Sequence, residues 1–158
     1  VINKKTLIIA VCTFVIGFLV SVAVYGNNAR YPLSDSTNTV DSPSDRISSD
    51  NIHVFSDRAI IEQEHLIWAK IKDTHSMEPV LNTGSISLEL PPVVPNELKV
   101  GDIISFKQGN KVIIHRIVLI GEDADGWFAA TKGDNNNQPD PYKVRFDQIK
   151  GIVVGILY

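Results

Sequence analysis

Hydrophobic and polar positions follow three different patterns along the chain. Residues 6–25 read TLIIAVCTFVIGFLVSVAVY, with no charge and no polar face. As a helix this run is about 30 Å long, the thickness of a bilayer's hydrocarbon core. Residues 26–51 turn polar and rich in Ser, Asp, Asn and Thr. They hold too few apolar side chains to offset the entropy of ordering, so a flexible linker is expected. From residue 52 the pattern is one of short apolar runs split by turn residues. IHVF and RAIIE bracket Ser56 and Asp57 and suggest a hairpin. LIWAKIK (66–72), SISLEL (85–90), DIISFK (102–107), KVIIHRIVLI (111–120), GWFAATK (126–132) and GIVVGIL (151–157) read as further strands. Their connectors carry Gly, Pro, Asn and Asp. Nothing past residue 25 has a long helical period. The expected fold is therefore mostly β: a small barrel or folded antiparallel sheet over 52–158, behind one N-terminal transmembrane helix.

Charge sets the orientation of that helix. Lys4 and Lys5 precede the apolar run, and the polar GNN follows it. The positive-inside rule then assigns residues 1–5 to a cytoplasmic tail and everything after Tyr25 to the far side, with Arg30 a mild counter-signal. The alternative is a cleaved secretory signal, for which Ser21-Val22-Ala23 would be the cleavage site. Signal h-regions span only about 7–15 residues, so length favours an uncleaved anchor. The net charge is −3 with no basic patch, which argues against a nucleic-acid partner. Cys12 is the lone cysteine and lies inside the apolar run, so one chain contains neither a disulfide nor a cysteine zinc site.

Three segments carry residues capable of chemistry. In DTHSMEP, Ser76 follows a strand. A serine so placed is ordinarily a turn residue, and its hydroxyl is a weak nucleophile without a base beside it. In IIHRIV, strand alternation puts His115 on the face of Ile113 and Ile117, with Arg116 on the other. Such a histidine is often a core residue, yet imidazole is also the natural proton acceptor near neutral pH. In TKGDNNNQPDP, Asp134 and Asp140 lie six positions apart in what reads as a solvated turn. A calcium loop fails there: the sixth position from Asp134 is Pro139 rather than Gly, and the twelfth is Arg145 rather than Glu. A metal site built from His115 and both aspartates has no recognised ligand spacing.

The order SMEP, GDIISF, IIHRIV, KGDNNNQPD, behind one N-terminal apolar run, resembles signal peptidase I. It is most similar to the endoplasmic-reticulum and archaeal branch, in which histidine replaces the catalytic lysine. The resemblance covers about residues 71–157. It implies a membrane-bound serine endopeptidase that removes signal peptides from secreted or membrane preproteins, with no cofactor and no metal. Ser76 takes the nucleophile position and His115 the general-base position. Asp134 and Asp140 take the two acidic positions, one of which would orient the histidine; the sequence does not choose between them. Thr74 and the Ser76 amide would form the oxyanion hole. Ile71, Met77, Ile86 and Leu88 are candidates to line the substrate pockets, from their strand positions. Substrate would bind extended, beside the Leu66–Lys72 or Ser85–Leu90 edge. Implied partners are signal-peptide-bearing preproteins, the bilayer through residues 6–25 and the protein translocation channel. The implied location is the cell membrane, or the endoplasmic reticulum membrane in a eukaryote.

The sequence departs from the family pattern at two points. His75 stands where a small residue is common, which makes it a rival base. Gly84-Ser85 replaces the usual Gly-Asp. His53 and His65 match nothing and read as surface or structural. Three other readings stay open: an inactive membrane-tethered binding domain, a peptidase dedicated to a few precursors, and a base supplied by Lys107 or Lys111.

Overall fold

Strand alternation and turn residues produce a sheet whose centre is buried on both faces. The computed structural model describes residues 40–72 and 75–158. Val40–Tyr158 forms one compact unit, built from nine strands: β1 (Ile52–Val54), β2 (Ala59–Ile61), β3 (Ile67–Lys70), β4 (Ile86–Leu90), β5 (Ile103–Gln108), β6 (Lys111–Asp123), β7 (Gly126–Lys132), β8 (Lys143–Arg145) and β9 (Ile149–Leu157). The regular helix among the described residues is confined to three 3-10 turns, Ser49–Asn51, Pro95–Glu97 and Phe146–Gln148. No helix there is long and apolar enough to cross a membrane; the expected span, 6–25, lies outside the described residues.

β1 and β2 pair as the expected hairpin, His53 opposite Ile60. The other seven strands form one antiparallel sheet in the order β3-β4-β9-β5-β6-β7-β8. Every pairing in it is antiparallel. The chain's last strand, β9, inserts between β4 and β5. This explains why GIVVGIL and DIISF are continuous apolar runs rather than alternating ones: central strands bury both faces. Adjacent residues accordingly join different clusters. Ile104 and Ile152 pack with Phe106, Ile117, Ala129 and Val144. Ile103 and Val153 pack with Met77 and Leu81.

Two features differ from the sequence reading. β8 is a three-residue strand that periodicity does not reveal; it exists because Val144 is fully buried against β7. The stretch from 40 to 51, expected to be linker, is fastened to the domain. Ser44 N–H donates to Asp102 Oδ1 (2.8 Å) and Arg46 Nη2 to Asp102 Oδ2 (2.6 Å). A polar composition predicts no core of its own, but it does not prevent a segment from docking through hydrogen bonds.

Candidate active site

The site forms where three segments, distant in sequence, meet beside β6. His115 pairs opposite Ile104 in the β5–β6 ladder and is 7% exposed. Its ring lies edge-on to Phe106, with centroids 6.5 Å apart. The strand therefore fixes the backbone of the histidine, and the core fixes its ring. A register shift between Ile117 and Leu119 follows directly, bending the strand just past the site, as bulges beside functional sites commonly do.

Ser76 enters from the loop between β3 and β4. The preceding residue, His75, has a left-handed backbone with φ 52°, an unusual conformation for a residue with a side chain. Glycine adopts it without strain, and histidine is among the other residues found in it more often than most. The peptide bond Glu78–Pro79 is cis. Met77 is buried, and its sulfur accepts from the Asp134 amide at 3.4 Å. Ser76 Oγ lies 3.1 Å from His115 Nε2.

The third segment is the loop from Lys132 to Asp140. It is pinned at its base by Asp140 N–H donating to Thr131 O at 2.7 Å. Asp140 Oδ2 lies 2.7 Å from His115 Nδ1 and accepts the Thr131 hydroxyl at 2.6 Å. The carboxylate side chain is only 9% exposed. A donor at Nδ1 leaves Nε2 as the acceptor facing Ser76, the tautomer that a general base requires. Tyr142 lies nearby, and burial together with the negative charge on Asp140 pushes its hydroxyl above the usual tyrosine range.

Asp134, left equivalent to Asp140 by the sequence, has a different neighbour. Both its oxygens accept from Arg116, Nε at 2.8 Å and Nη2 at 2.7 Å. Arg116 is 5% exposed and also donates to Gly101 O and Asp41 O. Alternation along β6 thus sends His115 toward one aspartate and Arg116 toward the other. Asn135 ties the loop to the serine: its N–H donates to Ser76 O at 2.9 Å and its Nδ2 to His75 O at 3.0 Å. The close approach needs a glycine beside it. A Cβ on Gly133 would lie 2.5 Å from Ser76 O.

Several sequence expectations take other positions. His75 is exposed, with Nδ1 2.7 Å from Glu78 Oε1. Lys107 and Lys111 are exposed at the β5–β6 turn. Lys111 lies four residues before His115, about 13 Å along the strand. Lys132 Nζ donates to Gly133 O and Asn136 O. His53 faces Glu62 and His65 is exposed, in line with their surface or structural reading. Thr74 lies outside the described residues. The four pocket candidates do not share one face. Ile71 packs with buried Met77, whereas Ile86 and Leu88 align with Lys70 and Trp68 on the opposite side of the β3–β4 ladder. A period of two fixes which residues share a face, and Ile71 and Leu88 fall on different ones once the register is known. β4 is paired on both sides, which closes the Ser85–Leu90 edge; β3 is the terminal strand of the sheet. Arg116, Thr131 and Asn135 were not singled out from sequence. Arg116 and Asn135 stand within the segments IIHRIV and KGDNNNQPD, but nothing in the sequence assigns either one a role.

A hydroxyl, an imidazole and a buried carboxylate linked in this order match the arrangement of nucleophile, base and orienting group in serine hydrolases. The chain is 40% identical over 81 residues to signal peptidase I W of Bacillus subtilis (strain 168). The match takes in 51% of this chain and 43% of that protein, so the chain spans less than half the length of the curated relative it matches. This partial likeness supports the signal peptidase I family as a whole rather than any one branch of it. No family model and no solved structure matches the chain.

Proposed function

We propose that this protein is a serine endopeptidase that removes signal peptides from preproteins, held at a membrane by residues 6–25. The observation that carries the reading is the chain of contacts Ser76 Oγ to His115 Nε2 (3.1 Å) and His115 Nδ1 to Asp140 Oδ2 (2.7 Å). In this reading Ser76 attacks the scissile carbonyl while its proton passes to His115 Nε2. Asp140 stabilises the resulting imidazolium and keeps its ring oriented. The Ser76 amide and Thr74 hold the tetrahedral oxyanion, an effect of about 3–4 kcal/mol per donor in well-studied proteases. The imidazolium returns the proton to the departing amine. Water, deprotonated by His115, then releases the acyl group and restores Ser76. Histidine as the base is what aligns the chain with the endoplasmic-reticulum and archaeal branch.

An extended substrate would add a strand to the open edge of β3, upstream of Ser76 in sequence. Tethering at the membrane would raise the effective concentration of emerging preproteins without any new contact. The test is cleavage of a model preprotein by the membrane-inserted chain beside Ser76→Ala. Release of mature protein cut after a small residue by the first, and not by the second, is the expected result. Equal cleavage by both would exclude Ser76 as nucleophile. Absence of cleavage across several unrelated precursors would favour a tethered binding domain or a narrowly dedicated peptidase.

A further inference from the structure

Residues 41–46 lie against the domain on the far side of Arg116 from the catalytic loop. Asp102, fully buried, is the hub of this contact. It accepts from Ser44 N–H (2.8 Å), Lys99 N–H (3.0 Å) and Arg46 Nη2 (2.6 Å). The same Arg46 nitrogen also donates to Glu97 O, while Arg46 Nε is buried with no hydrogen-bond partner among the described residues. Gly101 makes the approach possible: a Cβ there would lie 2.3 Å from Ser42 O. Gly101 and Asp102 are in turn laced to β6 just past the site. Gly101 N–H donates to Ile117 O, and Ile117 N–H donates to Asp102 O.

The segment completes the shell around Arg116. Arg116 Nη1 donates to Asp41 O at 3.0 Å and to Gly101 O at 2.8 Å, while its other two nitrogens grip Asp134. Asp134 begins the loop that carries Asn135, bonded to Ser76 O, and Asp140, bonded to His115. One guanidinium therefore joins the 41–46 segment to both ends of the catalytic constellation. Keeping water from that ion pair also strengthens it, because charge interactions grow as the local dielectric falls.

We propose that residues 41–46 act as a positioning strap: clamped by Asp102, they hold Arg116 and Asp134 in place and thereby set the loop that aligns Ser76 and His115. The functional half of this inference rests on the reading of Ser76 and His115 as the catalytic pair. The strap is continuous with the chain leading back to the apolar run, so the segment that tethers the domain also braces its active site.

The test uses the full chain in lipid vesicles and compares Arg46→Ala, Arg46→Met and Arg46→Lys with the wild type, with Trp127→Leu as a control far from the strap. Hydrogen exchange across residues 133–140, melting temperature, kcat and KM are read for each. Arg46→Ala should speed exchange in that loop and lower kcat about tenfold with KM little changed, a usual size for coupling through a side-chain network. Arg46→Met, which keeps the apolar stem, should do the same. Arg46→Lys should restore both readouts, because one nitrogen makes both of the native bonds. Trp127→Leu should lower the melting temperature without altering exchange in the loop. If the Arg46 variants melt lower but keep wild-type loop exchange and kcat, the segment is merely structural and the proposal fails. If the wild type cleaves nothing yet loop exchange rises in Arg46→Ala and falls back in Arg46→Lys, the brace stands and the reading as a general signal peptidase fails.

Discussion

Asp140→Asn and Asp134→Asn separate two carboxylates that share one loop. Asp140 Oδ2 accepts from His115 Nδ1 and from the Thr131 hydroxyl, in a setting where carboxylate and imidazole are each less than a tenth exposed. An amide at this position has two orientations. With its oxygen toward Nδ1 the geometry survives, but the imidazolium loses its counter-charge. A unit-charge pair about 4 Å apart at an effective dielectric of 20 is worth about 4 kcal/mol, or ~10³ in rate. With its NH₂ toward Nδ1 the tautomer inverts, Nε2 carries the proton, and His115 no longer accepts from Ser76. That outcome costs ~10⁴ in the serine-protease template. Asp140→Asn should therefore lower kcat by ~10³ to 10⁴ with KM little changed. Asp134→Asn instead leaves the buried Arg116 without its bidentate partner, a loss of about 3–5 kcal/mol of stability. Its melting temperature should fall by about 10 °C or more, with kcat within about tenfold of wild type while the protein is folded. The assay is preprotein or peptide cleavage at a temperature below both melting points, with thermal unfolding recorded in parallel. A folded Asp134→Asn that loses ~10³ in kcat, or an Asp140→Asn that keeps a tenth of its activity, would refute the assignment.

Other outcomes follow from single contacts. Gly133→Ala puts a methyl group 2.5 Å from Ser76 O and should cut kcat by at least about tenfold while costing only about 1–3 kcal/mol of stability, read by cleavage and by denaturant unfolding. Glu89→Ala removes the carboxylate that the buried hydroxyls of Ser87 and Ser105 both reach at 2.6 Å, leaving Ser87 its longer bond to Ala69 O, and should cost about 1–3 kcal/mol in urea unfolding with kcat unchanged. Asp102 is held below the usual carboxylate range: burial alone would raise it, but hydrogen bonds from Ser44, Lys99 and Arg46 and the Arg46 charge together outweigh burial. Its contribution to stability is thus present above the unfolded-state carboxylate pKa and lost as pH falls through the lower folded value. Asp102→Asn should flatten the acid limb of stability against pH; an unchanged limb would show that other carboxylates set it.

Every strand but β8 is legible in the sequence, because short apolar runs, alternating or continuous, bounded by Gly, Pro, Asn and Asp leave few alternatives. Ser76, His115, Asp134 and Asp140 stand out only together, through the order of segments that resembles signal peptidase I; each alone reads as an ordinary turn or core residue. Strand alternation alone sent His115 and Arg116 to opposite faces. What alternation does not encode is what stands on each face. Asp134 and Asp140 lie in one loop with the same chemistry, and only the folded loop gives Arg116 to the first and His115 to the second. Pairing order is equally out of reach: β9 closes the β4 edge, one of the two edges open to substrate on the sequence reading, while β3, the other, is terminal. The docking of residues 41–46 was hidden because it depends on the buried carboxylate of Asp102 and the missing side chain of Gly101, some 60 residues away in sequence. Local pattern reports the conformation that a segment prefers; which distant group satisfies its hydrogen bonds is decided when the sheet closes around it.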